Sequence, residues 1–148
     1  MADLRRDDIE LRSTDDFEGI RKLALASGLE DGTFEGIAAA FGLYAGDRLV
    51  GCAALKQVDD RYSVEWLAVD ESLRNRGLGS KLIRQVEDEA RSRGARTLWA
   101  LARAPGFFQS IGFRLARPEE TGGPTLVNCM KCPQFRKSCD PAIVVRAL

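Results

Sequence analysis

DESLRNRGLGSKLIRQVEDEARSRG, residues 70–94, passes from a polar loop into an amphipathic helix. Leu78, Leu82, Val86 and Ala90 lie four residues apart, which puts them on one helical face, and Arg91, Arg93 and Gly94 supply C-terminal charge and a stop. Tyr62–Val69 before it and Thr97–Leu101 after it read as strands. A loop that leaves a strand and opens a helix has unpaired first-turn amides that can point at an anion. Gly77 and Gly79 have no Cβ to hold a ligand away, Arg74 and Arg76 add positive charge, and Ser80 adds a hydroxyl. The combination suits a phosphate, although the same residues also describe a glycine-containing loop with solvated arginines. The string matches neither GxxxxGK[ST] nor GxGxxG, which turns the reading from ATP or NAD to another phosphorylated ligand.

Outward from this stretch, Ile9–Arg12 alternates as a short strand, and Ser13 or Thr14 is placed to cap a helix carrying Phe17, Ile20, Leu23 and Leu25, with Gly28 as its stop. Thr33–Phe41 is expected as a second short helix. Leu43–Ala45, the turn Gly46-Asp47 and Arg48–Val58 form a hairpin. A short helix over Phe107–Ile111 ends at Gly112, and Phe113–Leu115 is extended. RPEETGGP, from Arg117, then breaks the pattern with turn formers. The alternation predicts one α/β domain over residues 1–148, a mixed sheet with helices on its faces, with residues 120–148 as a cysteine-bearing C-terminal segment.

The composition agrees with a single domain of 148 residues, 45% hydrophobic and 30% charged. Lys plus Arg and Asp plus Glu both total 22, so no net field draws the chain to nucleic acid or an anionic membrane. No run approaches the roughly 18 apolar residues of a membrane span, and the polar MADLRRDDIE start is not a secretory signal, so a cytoplasmic protein is expected. With no histidine, chemistry falls to carboxylates, thiols, hydroxyls, lysines or the backbone.

Glu65 interrupts the otherwise apolar strand Tyr62–Val69. A carboxylate on a central strand needs a partner or a purpose; it is either a general base or an acid that faces solvent or pairs with an arginine. Cys129, Cys132 and Cys139 have spacing that suits metal or redox chemistry. Tetrahedral zinc would need a fourth ligand from Asp140, Cys52 or water, and the alternatives are packed thiols or a labile disulfide. Cys52, in Val50-Gly51-Cys52-Ala53-Ala54, reads as a small buried hydrophobe.

VDESLRNRGLGSKL, residues 69–82, resembles the acetyl-CoA-binding motif of the GNAT N-acetyltransferase superfamily, [RQ]-x-x-G-x-[GA], with Arg74, Gly77 and Gly79 at its fixed positions. APGFFQSIGF, residues 104–113, resembles the family's A-x-x-F-Y-x-x-x-G-F segment, and the likeness runs from about Leu43 to Phe113. It implies a mostly antiparallel GNAT sheet with helices on both faces, and acetyl-CoA as cosubstrate. The pyrophosphate would lie on the loop amides of Arg76, Gly77, Leu78, Gly79, Ser80 and Lys81, with Arg74 and Asn75 also binding the cofactor. The pantetheine would run along Glu65–Val69, meeting backbone groups of Leu67 and Val69 where this strand and the next splay apart. Phe107 and Phe108 would line the cofactor. An acceptor amine would attack the thioester directly, with a backbone N–H near Leu67 stabilising the oxyanion and Glu65 taking the proton.

Phe108 departs from the family's tyrosine and has no proton to give a leaving thiolate. Tyr44 and Tyr62 are conceivable replacements. NCMKCPQFRKSCDPAIVV, residues 128–145, is similar to the C-terminal segment of short amino-acid N-acetyltransferases related to N-acetylglutamate synthase, a group in which Phe-Phe also occurs. This likeness implies an amino acid or similar small amine as acceptor, with Arg12, Arg21 or Lys22 meeting its carboxylate. The family also often forms homodimers through C-terminal strands, for which Ile143-Val144-Val145 is apolar enough, as it is for a core strand. Two other readings stand beside the enzyme: a non-catalytic acyl-CoA sensor, and a GNAT scaffold regulated by thiols or metal.

Overall fold

Alternating apolar residues lay out a sheet between helices in the computed structural model, which describes residues 9–27, 35–59, 61–74, 76–102, 105–117 and 142–148. The elements are β1 (Ile9–Ser13), α1 (Phe17–Ala26), β2 (Ile37–Ala45), β3 (Arg48–Val58), β4 (Arg61–Val69), a single helical turn at Glu71–Leu73, α2 (Leu78–Ser92), β5 (Thr97–Ala102), α3 (Pro105–Ser110), β6 (Arg114–Leu115) and β7 (Ala142–Ala147). Seven strands form one sheet in the order β1-β2-β3-β4-β5-β7-β6. Every neighbouring pair is antiparallel except β4 and β5, which are parallel. This is the expected mixed, mostly antiparallel α/β arrangement.

The two-residue period of β3 serves both faces. Ala53 and Leu55 join Phe41, Leu43 and Val64 in a core closed by Leu78, Leu82, Val86 and Ala90 of α2. Cys52 and Ala54 face the other way, where they meet Ala40, Ala68 and Ile20 of α1. Four of these five buried residues are small, which lets α1 close down on the sheet. No helix among the described residues is long and apolar enough to cross a membrane.

Two details correct the sequence reading, and a third bears on a choice it left open. Ile37–Phe41, expected in a helix over Thr33–Phe41, is instead the first part of β2, which pairs with both β1 and β3. Its three alanines carry helix propensity, but a position between two strands overrides it. The cap of α1 is Asp16, whose carboxylate accepts the Gly19 N–H at 3.0 Å, because Ser13 still belongs to β1. Thr14 instead accepts the Asp16 N–H and bonds the Tyr44 hydroxyl at 2.7 Å. Third, β7 inserts between β5 and β6, so Val144 and Val145 are buried in this chain's own core. Gly28 lies outside the described residues.

One buried ion cluster ties the far half of the sheet to α2. Glu87, only 3% exposed, accepts from Arg146 of β7 at 3.2 Å and lies 3.6 Å from Arg91. Arg146 also donates to the Ile111 carbonyl at 2.6 Å, so one guanidinium holds the end of α3, β7 and α2 together. Replacing Arg146 leaves this buried carboxylate, among the described residues, with the longer-range partner Arg91. Arg146→Met is expected to cost about 2 kcal/mol, below the usual range for breaking a buried pair because Arg91 remains. Urea unfolding checks this as a lowered midpoint with an unchanged m-value.

Candidate functional site

The parallel pairing of β4 with β5 covers Ser63↔Trp99 and Val64↔Ala100. Beyond that point β5 keeps only its pairing with β7, through Leu101↔Ile143 and Ala102↔Ala142, while β4 continues to Val69 alongside β3. The strands therefore part at Glu65, the first β4 residue past the last shared pair. The Asp70 N–H donates to the Val50 carbonyl at 2.8 Å, so the Val69 N–H and C=O point away from β3, toward the gap. Leu67, two residues earlier, has its C=O on the same side by the same alternation, while its N–H belongs to the peptide it shares with Trp66.

β4 is not regular on its β3 side. Cys52 pairs with Ala68 and Ala54 with Glu65, leaving Trp66 and Leu67 opposite the single residue Ala53. This is a bulge, and Trp66 occupies a left-handed conformation at φ +57°. For a tryptophan that conformation costs on the order of 1–3 kcal/mol and persists only where its surroundings hold it. The Trp66 carbonyl accepts the Cys52 thiol at 3.1 Å, and its indole packs against the α1-side core. Burial pushes the Cys52 thiol up to about 12, so it stays protonated and able to donate.

After β4 the chain is pinned before it reaches the glycines. Asp70 caps the turn at Glu71–Leu73 and pairs with Arg48 at 3.0 Å; bonds from the Ser72 hydroxyl and amide, with Arg48, hold its carboxyl below the ordinary range. Arg74 turns back to donate to the Val69 carbonyl at 3.2 Å. Gly77 then takes φ +77° as the first cap of α2, with no side-chain bond from the cap to the first-turn amides and no acidic residue in that turn. Lys81 N–H to Gly77 C=O, at 3.2 Å, is the first helical bond, so the amides of Leu78, Gly79 and Ser80 face outward from the helix end. At Gly79 a Cβ would stand 3.1 Å from Phe107, so glycine is what lets α3 close against the loop.

Glu65 sits where the strands part, on the α1 side of the sheet with Ala54. Desolvation by burial raises its carboxyl above the ordinary glutamate range, against the opposing pull of the Lys56 cation and the Ser63 hydroxyl hydrogen bond. Ser63 is buried, and Lys56 is its partner across β3. The structure thus gives Glu65 two polar neighbours that single-sequence reading did not name.

The remaining candidates scatter. Phe107 lies against Gly79, but Phe108 is 7% exposed and packs edge-on between Phe107 and Phe113, each 5.2 Å away. Tyr44 lies on β2 bonded to Thr14, and Tyr62 is buried in the α2-side core, so neither stands beside the gap. Arg12 donates to the Gly46 carbonyl and covers the Tyr44 ring at 4.6 Å, Arg21 pairs with Glu18 at 3.4 Å, and Lys22 is exposed on α1. Asn75, Cys129, Cys132, Cys139 and Asp140 lie outside the described residues. Among the described residues no group of three or more possible ligands could hold a metal. The bulge was missed, although its trace is present: the α2-facing residues Tyr62, Val64, Leu67 and Val69 step by two, then three, then two.

Comparison with known proteins agrees with this arrangement. The model of the acetyltransferase (GNAT) family matches residues 7–113. An uncharacterised N-acetyltransferase of Chlorobaculum tepidum is 28% identical over 102 residues, covering 68% of this chain and 65% of the relative. A ribosomal protein-alanine N-acetyltransferase of Salmonella typhimurium is 34% identical over 88 residues, covering 56% of this chain and 60% of the relative. The chain thus spans a little under two thirds of the length of these relatives. Among solved structures, N-acetylglutamate synthase from Neisseria gonorrhoeae, complexed with coenzyme A and N-acetyl-glutamate, is 26% identical with a TM-score of 0.75, covering 95% of this chain and 35% of that one. A GNAT-family acetyltransferase from Staphylococcus aureus, 14% identical with a TM-score of 0.74, covers 95% of this chain and 99% of its own and shares the fold. With most of its length matched by the family model and its glycine loop set at the start of α2 beside parted strands, this chain belongs to the acetyltransferase (GNAT) family.

Proposed function

We propose that this protein transfers an acetyl group from acetyl-CoA to the primary amine of a small molecule, an amino acid or a close relative of one. The observation that carries the reading is the parting of β4 and β5 at Glu65, with the amides of the Gly77–Ser80 turn following on the same chain. The loop suits the pyrophosphate, where Arg74, Arg76 and Lys81 supply charge near the helix end, and Asn75 belongs to the same loop. The gap suits the pantetheine, whose amides would take the place of a missing strand against Leu67 and Val69. Val69 enters with its N–H, since its carbonyl already accepts from Arg74. Phe107 flanks the loop; Phe108 supports it from the core.

An amine reaches a neutral solution largely as ammonium and must lose a proton before it attacks. Glu65, with its carboxyl raised by burial, is the base in this reading. Glu65 takes that proton first; the neutral amine nitrogen then bonds to the thioester carbonyl carbon, and collapse of the tetrahedral species breaks the C–S bond as the proton left on nitrogen passes to the departing thiolate or to water. A backbone N–H at Leu67 meets the oxyanion. The departing thiolate of CoA, with an ordinary thiol pKa near 8.5, leaves without needing a tyrosine at position 108. Zinc at Cys129, Cys132 and Cys139 rests on spacing alone and takes no part in these steps, and a homodimer rests on family likeness alone.

The amino-acid acceptor draws support from the neighbour that is named for making N-acetylglutamate, and from the similar C-terminal cysteine segment. The Salmonella relative is named for acting on an alanine of a protein, so an alanine-led peptide belongs in the same assay. Phe108 favours a second reading, a chain that binds acetyl-CoA without turning it over. Thiol release from acetyl-CoA with free amino acids, polyamines, aminoglycosides and that peptide decides between them. Release that depends on a free amino acid is expected; release with the peptide alone replaces the acceptor class, and binding with no release supports the sensor.

Glu65→Gln is expected to lower kcat/KM by roughly 100-fold at neutral pH with CoA affinity little changed. The wild-type rate should rise with pH along a limb above the ordinary glutamate range, and Lys56→Met should move that limb higher still by removing the cation that opposes the shift. The same group carries a stability cost of the opposite sign. A carboxyl raised in the folded state holds its proton more tightly there, so stability falls as pH climbs from the unfolded glutamate value through the folded one. Glu65→Gln should therefore melt at a higher temperature than wild type at neutral pH, and lose that advantage in acid. At the loop, Gly77→Ala forces a side chain into φ +77°, a strain of about 1–2 kcal/mol, and should raise the KM for acetyl-CoA roughly tenfold with kcat nearly kept.

A further inference from the structure

The second cysteine-bearing feature of the chain is not in the tail but on β3, one strand away from the gap. Cys52 is fully buried on β3, where the only residue between it and Ala54 faces two residues of β4. Its thiol donates to the Trp66 carbonyl at 3.1 Å, across the bulge that interrupts β3–β4 pairing. Trp66 is the non-glycine residue at φ +57° within that bulge, and Leu67 follows it directly. A backbone held in a sparsely populated conformation stays there only while specific contacts outweigh its strain. The indole packing of Trp66 fixes the side chain; the thiol contact fixes the peptide.

We propose that Cys52 is a positioning residue for acetyl transfer: its thiol holds the Trp66 peptide in the bulged conformation that directs the Leu67 N–H into the gap between β4 and β5. This rests on the reading of that gap as the thioester site. The peptide joining Trp66 to Leu67 carries both groups in question, the Trp66 C=O on its β3 side and the Leu67 N–H opposite. Rotation of that one planar unit moves both together. A donor clamped on the carbonyl therefore sets the aim of the N–H, without Cys52 touching substrate. A thiol that stays protonated keeps the clamp through the working pH range.

The test uses acetyl-CoA carrying carbon-13 at its carbonyl, with the thioester C=O stretch read by difference infrared spectroscopy on wild type, Cys52→Ala, Cys52→Val and Cys52→Ser. Near-ultraviolet circular dichroism checks folding, and calorimetry gives the acetyl-CoA Kd. In wild type the stretch should shift to lower frequency on binding, as a carbonyl does when it accepts a hydrogen bond. Cys52→Ala and Cys52→Val should lose at least half of that shift with Kd within about threefold of wild type, and Cys52→Ser, which keeps a donor, should retain it. An equal shift in all four proteins overturns the inference, as does loss of the shift in Cys52→Ser. If neither donor-less variant folds, Cys52 supports the whole domain and the inference is again overturned. Wild-type protein that binds acetyl-CoA with no shift overturns the inference and leaves the binding site standing. Wild-type protein that does not bind acetyl-CoA overturns the reading of the gap itself.

Discussion

A parallel strand pair that stops after two residues is the constraint on which the rest of this molecule depends. Backbone N–H and C=O groups are obligatory hydrogen-bonding groups, and a central strand whose neighbour leaves it exposes a row of them within the fold. On one edge β4 is satisfied by β3; on the other, past Val64, its groups face a gap. The remaining features are arranged around that gap. The turn at Asp70–Leu73 and the Arg74 bond to Val69 send the chain sharply into α2, whose first amides close one end. Gly79 admits Phe107, so α3 packs against the loop that follows the gap.

Two carboxylates on or against this sheet show how surroundings divide structure from chemistry. Glu87 is more deeply buried than Glu65, yet two guanidiniums lie within ion-pair distance of it, and it joins α2, α3 and β7. Its negative charge is matched on the spot, as a buried ion needs to be. Among the described residues Glu65 has a serine hydroxyl and a lysine cation to set against desolvation, and the balance leaves its proton more tightly held than usual. The first arrangement is suited to holding elements in place; the second leaves a group that takes up and holds a proton more readily than an ordinary glutamate. A chain without histidine has few other ways of producing such a group.

Much of this was legible from residues alone, for particular reasons. α2 and its loop stand out because the four-residue spacing from Leu78 to Ala90 and the two glycines each carry a local physical signal. The hairpin of β2 and β3 is announced by Gly46-Asp47, whose glycine takes φ +64°. Ile37–Phe41 misled because alanine speaks for a helix wherever neighbours are ignored, and only the pairing with β1 and β3 makes it a strand. At the site, Glu65 was visible as a charge in an apolar strand, but Ser63 and Lys56 were not, since cross-strand register is a tertiary fact. Cys52 read as a small hydrophobe, which its burial bears out. Its hydrogen bond to Trp66 depends on the bulge, and the step of three between Val64 and Leu67 was the only local sign of that.

The insertion of β7 between β5 and β6 bears on how the domain is assembled. As the chain leaves the ribosome, β1 to β5 can pair in the order they are made, and the gap can exist as soon as α2 has crossed the sheet. The outer edge of β5 must then wait for residues 142–147, because its chain neighbour β6 pairs only with β7. Until then a strand carrying Leu98 and Trp99 presents a bare edge, the kind of surface on which nascent chains associate wrongly. The pairing of β7 is therefore a long-range closure, slow because it joins residues far apart in the chain, and it completes the outer side of the strand that bounds the gap.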